Sequence, residues 1–221
     1  MSDFSTARQK MVDGQVRTSD VTDPRIIDAM LELPREAFVP EDKRALAYLD
    51  LDLDVAVPPS PKRYLLKPML TARLLQAAAI EAADNVLIVG CATGYAAAIA
   101  ARIATKVAAT EMDPVLVARG NKILGQIGIN NVTFREEAAV AGNPAGVPFD
   151  VIILNGATEV PLERLYQQLA MGGRLVGVFA ISDPPRAKFV TRSQNDFGYR
   201  ILFDATAPVL PGLQRVPAFV F

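Results

Sequence analysis

The sequence predicts an α/β fold with a doubly wound, mostly parallel sheet, and three observations support this prediction. From residue 84 onward, apolar runs alternate with helical patterns, an order that builds a parallel sheet with right-handed crossovers. The first run, NVLIVG (85–90), is continuously apolar, which is typical of a strand buried on both faces. A glycine-containing turn joins this run to a helical pattern, as at the ligand sites of such sheets.

The first 83 residues are predicted to form a mostly helical extension that prolines interrupt. STARQKMVDGQVR (5–17) suggests a short surface helix, and Pro24 begins a helix over IIDAMLEL that ends at the next proline. FVPEDKRALAYLD (38–50) indicates a turn followed by another short helix. A proline-rich loop and an amphipathic helix (57–80) then lead into the sheet.

Within this extension, LDLDLDV (49–55) alternates apolar and acidic residues, which predicts a strand with Asp50, Asp52 and Asp54 on one face. Three carboxylates on one side could hold a hard cation. A solvated edge strand is the favoured interpretation, because the neighbouring sequence lacks the tight carbonyl-rich loop that calcium sites need. No metal site is therefore expected.

The predicted core comprises five strands and three crossover helices. The strands are NVLIVG, KVAATEM, NVTFRE, FDVIILNG and GGRLVGVFA, and the helices are YAAAIAARIA, PVLVARGNKILGQIG and VPLERLYQQLA. Two further strand patterns flank Asn195–Gly198 and predict an antiparallel hairpin at the sheet edge. We expect one domain made of a helical extension (1–83), a sheet core (84–180) and a C-terminal hairpin (181–221).

Composition excludes several classes of function. The formal net charge is -1 and the pI about 5.6, so the sequence has no general nucleic-acid footprint. The chain contains no histidine, which excludes Ser-His-Asp and Cys-His catalysis and imidazole-based zinc sites. Charges interrupt every apolar run and the N-terminus has no signal core, so a cytoplasmic protein without membrane contact is expected.

The candidate site is the first strand–helix turn, Gly90-Cys91-Ala92-Thr93-Gly94-Tyr95. Glycines allow a ligand close to the backbone, and the helix that follows directs free N–H groups at it. Glu111 ends the next strand, where a carboxylate can accept hydrogen bonds from both hydroxyls of a ribose. The alternative for Glu111 is a favourable charge close to the start of the following helix.

Several stretches give the chain a specific resemblance over nearly its full length. It resembles the protein-L-isoaspartate O-methyltransferase family, and the stretches that carry the resemblance are KMVDGQVR (10–17), VTDPRIIDAMLELPREAFVPEDKRALAY (21–48), VLIVGCATGYAAAIAA (86–101), NVTF (131–134), FDVIILNGA (149–157) and LYQQLAMGGRLV (165–176). The N-terminal stretches are the most specific, because methyltransferases in general lack them.

The resemblance implies a Rossmann-like methyltransferase fold and the use of S-adenosyl-L-methionine (AdoMet) to methylate isoaspartyl carboxylates of damaged proteins. Such enzymes repair proteins in the cytoplasm and need no metal. The cofactor-binding residues it implies are Gly90, Cys91, Thr93, Gly94, Tyr95, Glu111, Met112, Glu137 and Asn155. It gives no catalytic residue, since the family's active-site serine position is Leu66, in a loop with Tyr64, Leu65 and Lys67.

Other positions depart from the family pattern. Ile88 replaces an acid before the first loop glycine, Ala92 replaces the middle glycine, and Ala138 aligns with an acid that holds adenine, although Glu137 is adjacent. Each lost hydrogen bond to a charged group costs ~1.5–3 kcal/mol. We therefore expect weak AdoMet binding and little methylation of isoaspartyl peptides. Substitution of these three positions with Glu, Gly and Asp is expected to tighten AdoMet binding.

Three further hypotheses remain open from the sequence. The chain could be a non-catalytic member that uses KRYLLKP (62–68) as a basic contact surface, although an ordinary loop is the simpler interpretation. The basic residues of this loop could instead form a changed acceptor site. Cys91 at a helix start could be a reactive thiol, although a small buried residue filling the turn is the favoured interpretation.

Overall fold

The N-terminal extension forms a layer of short helices in this computed structural model, which describes residues 4–194 and 196–216. Three α-helices, two of them begun by a proline, span α1 (Ser5–Met11), α2 (Pro24–Glu32) and α3 (Pro68–Ala78). The side chain of Asp23 caps α2 by accepting a hydrogen bond from the backbone N–H of Arg25 (2.9 Å). The predicted helix after Pro24 is confirmed.

The first helix differs from the predicted surface helix. It continues as a π-helical turn over Val12–Val16, and Met11, Val12 and Val16 are buried in the main apolar core. The extension is therefore anchored to the core by its first helical segment.

The acidic repeat forms much less strand than predicted. Only β1 (Leu53–Asp54) is a strand, and it pairs antiparallel with β2 (Tyr64–Leu65). Asp52 accepts the N–H of Lys67 (2.8 Å) and Asp54 accepts the N–H of Ala56 (3.0 Å). These carboxylates therefore cap backbone groups of the neighbouring loop. Among residues 4–194 and 196–216, no three Asp, Glu, Cys or His side chains are grouped as a metal site.

Seven strands form the central sheet. They are β3 (Asn85–Val89), β4 (Lys106–Glu111), β5 (Val132–Glu136), β6 (Phe149–Thr158), β7 (Leu169–Phe179), β8 (Arg186–Arg192) and β9 (Phe197–Asp204). Their order is β5-β4-β3-β6-β7-β8-β9, and the first five pair in parallel. β8 and β9 add antiparallel, which confirms the C-terminal hairpin; Asn195 lies outside the described residues.

Three helices connect the parallel strands, namely α4 (Tyr95–Ala100), α5 (Pro114–Gln126) and α6 (Glu163–Tyr166). The helix predicted over residues 160–170 is shorter in the structure, and β7 begins at Leu169 rather than at the glycine pair. The cause is Gln168, which ties the chain to the preceding loop. Its backbone carbonyl accepts the N–H of Phe149 (2.9 Å), and its side chain accepts the N–H of Asn143 (2.8 Å).

Alternate residues of the central strands enter two separate cores, as expected for a sheet covered on both faces. Val86 and Ile88 pack with the N-terminal extension, whereas Leu87 and Val89 pack with α6 residues and the C-terminal segment around Leu210. The doubly wound α/β fold is therefore confirmed. The division of the chain into one domain with three parts stays a prediction. Within the described part of the chain, no helix has the length and apolarity to cross a membrane.

Candidate functional site

The glycine turn lies at the carboxyl end of β3. Gly90, Ala92 and Gly94 all have positive φ angles (68°, 51° and 98°), and Gly94 directly precedes α4. Because β3 and β4 run parallel, with Val89 paired to Thr110, Glu111 lies at the same end of the sheet as Gly90. The turn and the acid predicted to share a cleft are thus neighbours.

Glu111 is almost completely buried, with 1% of its surface exposed. Arg63 donates to both of its oxygens, from Nε to Oε1 (2.9 Å) and from Nη2 to Oε2 (2.7 Å). The other donors are backbone N–H groups, those of Ala92 (2.8 Å), Met112 (2.9 Å) and Asp113 (3.3 Å). Groups of the protein itself therefore satisfy both carboxylate oxygens.

Arg63 reaches this carboxylate from the loop before α3. Its Nη2 also donates to the carbonyl of Gly90 (2.8 Å), which accepts a second hydrogen bond from Asn155 Nδ2 (3.0 Å). The Arg63 side chain is only 3% exposed, whereas Lys62 is exposed. Arg63 is therefore unavailable for the basic contact surface or the changed acceptor site considered for this loop, and those interpretations are wrong for this residue.

Leu210 covers the two glycines that face the cleft. A Cβ added at Gly90 would lie 2.5 Å from Leu210 Cδ2, and one added at Gly156 would lie 2.7 Å from Leu210 Cγ. Leu210 is 1% exposed, and its N–H donates to the carbonyl of Ala157 (2.9 Å). The space in front of the glycine turn is thus filled by an apolar side chain.

These contacts decide whether the folded site fits AdoMet. A ribose would need acceptor positions on Glu111, but Arg63 and backbone groups use them. The backbone at Gly90 is covered by Leu210 and bonded to Arg63. The residues as arranged here do not fit the cofactor.

The other predicted turn residues have structural contacts. Cys91 is buried, which confirms the favoured interpretation of a small residue that fills the turn. Burial also raises the pKa of its thiol to about 12, which disfavours a reactive thiolate. Thr93 Oγ1 donates to the carbonyl of Phe38 (2.6 Å), which ties the turn to the extension. Tyr95 packs edge-on against Phe38, and burial raises the pKa of its hydroxyl to about 12.

Met112 and Glu137 lie at the outer side of the cleft. Met112 is 38% exposed and lines a cavity of about 180 Å³ together with Ser60, Pro61, Arg63, Asp113 and Pro114. The backbone N–H of Glu137 donates to the carbonyl of Glu111 (3.0 Å), and its side chain accepts the N–H of Ala138 (3.2 Å). A role of these residues in binding a cofactor stays a prediction.

The predicted acceptor loop (residues 64–67) is held in place by buried leucines and by a hydrogen bond from Arg35. Leu65 and Leu66 are buried, Tyr64 and Lys67 are partly exposed, and the carbonyl of Leu66 accepts a hydrogen bond from Arg35 Nη2 (2.7 Å). Sequence reasoning missed the inward direction of Arg63 and the contacts of Leu210. One signal for Arg63 existed, because strand alternation places it on the same buried face as Leu65.

The conformation of Ala92 leads to a first prediction. Its φ of 51° is left-handed, which strains a residue with a Cβ. We expect Ala92→Gly to stabilise the fold by about 0.5–1 kcal/mol, measured by urea unfolding. The matched control is Ala96→Gly inside α4, which should destabilise by about 1 kcal/mol. Destabilisation by Ala92→Gly would contradict the assignment of strain.

Comparisons with known proteins identify relatives that match most of the chain. The family model for Protein-L-isoaspartate(D-aspartate) O-methyltransferase (PCMT) matches residues 6–201. The chain is 38% identical over 171 residues to "Protein-L-isoaspartate O-methyltransferase 2" of Anaeromyxobacter sp. (strain Fw109-5), covering 77% of this chain and 69% of the relative. It is 36% identical over 174 residues to "Protein-L-isoaspartate O-methyltransferase" of Roseiflexus sp. (strain RS-1), covering 79% and 78%.

Solved structures share the fold at lower identity. A structure named protein-L-isoaspartate O-methyltransferase superposes with a TM-score of 0.81 at 23% identity, over 93% of this chain and 66% of that chain. A Plasmodium falciparum structure, described as a putative protein-L-isoaspartate O-methyltransferase in complex with S-adenosyl-L-homocysteine, gives 0.77 at 16% identity, over 95% and 99%. At these identities the similarity shows the architecture.

Proposed function

Because the chain belongs to the protein-L-isoaspartate(D-aspartate) O-methyltransferase family, we propose that it transfers the methyl group of AdoMet to isoaspartyl carboxylates of proteins. The observation that carries the proposal is the family match over residues 6–201, which includes both the helical extension and the sheet. The finer parts, repair of damaged proteins and a cytoplasmic location, rest on the family resemblance.

The chemistry is compatible with the composition of the chain. A carboxylate oxygen is already nucleophilic near neutral pH, so methyl transfer to it requires positioning more than a general base. A chain without histidine can therefore support this reaction.

The extension packs against the end of the sheet that carries the glycine turn. Thr93 of the turn bonds the carbonyl of Phe38, and Arg35 bonds the carbonyl of Leu66. Both contacts hold the extension and the predicted acceptor loop against the carboxyl end of the sheet. A substrate peptide would meet the sheet where these segments converge.

The test is transfer of labelled methyl groups from millimolar AdoMet to an isoaspartyl peptide beside its normal aspartyl twin. We expect label on the isoaspartyl peptide alone, at a rate well below the ~10 s⁻¹ of a median enzyme because the cleft is closed. A methyltransferase of this family with known activity serves as the positive control. Absence of label from the isoaspartyl peptide at millimolar AdoMet, with the control active, would contradict the proposed function.

A further inference from the structure

We propose that Arg63 is an internal gate of the cofactor cleft, which closes on Glu111 and opens by moving to Asp113. The identity of the cofactor rests on the proposed function; the gate rests on the contacts of this chain. Leu210 completes the closed state, and we refer to Arg63 and Leu210 together as the plug.

The closed state is built from complementary groups. Arg63 supplies two donors to the Glu111 carboxylate (2.9 and 2.7 Å), the number that two ribose hydroxyls would supply. Its Nη2 also bonds the carbonyl of Gly90 (2.8 Å). An arginine in this position competes directly with a ribose for the same acceptor.

The closed structure contains an unused acceptor that Arg63 would bind in the open state. Asp113 is 5% exposed, and its Oδ2 has no hydrogen-bond partner among the described residues. Its other oxygen, Oδ1, accepts the N–H of Val115 (2.9 Å) and caps α5. Buried carboxylate oxygens are seldom left without a donor, so this atom points to a second position for a cationic group.

A path connects the two positions. Arg63 and Asp113 line the same cavity of about 180 Å³, together with Met112 and the loop residues Ser60 and Pro61. Movement of the guanidinium into this cavity exchanges one carboxylate for another. It frees the acceptor positions that Arg63 uses on Glu111, while the neighbouring backbone N–H groups stay bonded to the same carboxylate. Both buried carboxylates keep a partner in the open state, because Arg63 then bonds Asp113 and the ribose hydroxyls bond Glu111.

Leu210 acts as the apolar half of the plug. Its side chain lies against Gly90 and Gly156, where a ligand would approach the backbone. It carries no charge, so its removal enlarges the cleft without leaving a carboxylate unpaired. This difference makes it the second variant for the test.

The test is calorimetric titration of the full chain with AdoMet and, separately, with S-adenosylhomocysteine. We expect Arg63→Ala to tighten AdoMet binding at least tenfold and Leu210→Ala at least threefold. The matched control is Arg174→Ala, which breaks the Arg174–Asp84 pair (2.7 Å) at the opposite end of β3 and should leave the affinity within twofold of native.

Asp113→Asn tests the open state. Asparagine keeps the helix cap but loses the charge that attracts Arg63. We expect it to weaken AdoMet binding at least threefold in the native background and to have no effect in the Arg63→Ala background. An equal effect in both backgrounds would overturn the movement to Asp113.

The remaining outcomes separate the gate from the proposed function. Micromolar AdoMet binding by the native chain, unchanged in both plug variants, overturns the gate alone. Folded variants that bind no AdoMet at millimolar concentration overturn the gate, and the isoaspartyl assay then decides the function separately. Where Arg63→Ala fails to fold by circular dichroism, Leu210→Ala decides, and an unchanged affinity overturns the proposal.

Discussion

Replacing either member of the Arg63–Glu111 pair is expected to lower the free energy of unfolding by about 3–5 kcal/mol, because the partner is left as an uncompensated buried charge. The two side chains are 3% and 0% exposed, so water cannot replace the lost partner. Arg63→Met and Glu111→Gln are the two single variants, and urea unfolding is the measurement.

The double variant Arg63→Met/Glu111→Gln tests whether the two charges are energetically coupled. It removes both charges, so its loss should be smaller than the sum of the two single losses by more than 1 kcal/mol. The control is Arg186→Met, which breaks a pair with Asp204 (3.1 Å) whose members are 39% and 71% exposed and should cost at most about 1 kcal/mol. Additive losses in the double variant would show that the pair is not coupled.

Arg35→Ala is expected to destabilise the fold by about 3–5 kcal/mol. The fully buried guanidinium donates from Nε to the carbonyl of Ala47 (2.7 Å) and from Nη2 to that of Leu66 (2.7 Å). Its carbon Cζ lies 4.8 Å from the centroid of the Tyr95 ring. Truncation leaves the Ala47 carbonyl without its side-chain donor and the Leu66 carbonyl with only a long contact from Thr71 Oγ1 (3.4 Å). Each loss costs about 1–3 kcal/mol, and the truncation also opens a cavity.

Two further variants separate these causes. Arg35→Met fills the space without the donors, so it should recover the cavity contribution and lose less than Arg35→Ala. Arg44→Ala, in the same extension but 49% exposed, should change stability by less than about 0.5 kcal/mol. A loss below 1 kcal/mol for Arg35→Ala would show that the extension does not depend on this anchor.

Local signals sufficed for much of the fold. The apolar run at 85–89 and the Asp113-Pro114 helix start appear where the sequence predicts them, because burial and capping act over a few residues. The helix after Val160 was overestimated, because Gln168 is tied to a loop that local patterns do not reveal. The strand predicted over the acidic repeat is also too long, because Asp52 accepts the N–H of Lys67 from another segment and Asp54 accepts that of Ala56 just after it.

In the candidate site too, features set by neighbouring residues could be predicted from the sequence, whereas contacts between distant segments could not. The positive φ of Ala92 (51°) agrees with the sequence observation that this residue replaces the family's middle glycine. The inward course of Arg63 depends on Glu111, which is distant in the chain, and on Leu210 from the C-terminal segment. The predicted replacement of Ile88 by Glu also needs revision, because Ile88 is completely buried in the apolar core and a carboxylate there would have no partner.

The single cysteine of the chain lies inside the gated turn, between Gly90 and Ala92. Because Cys91 is buried, a thiol reagent can label it only while the turn is transiently accessible, so the labelling rate reports the opening of the cleft. The labelling half-time of the otherwise unmodified protein therefore measures how often the turn opens. Its change on adding AdoMet shows whether the ligand favours the closed or the open state. No engineered probe is required, since residue 91 is the one thiol in the sequence.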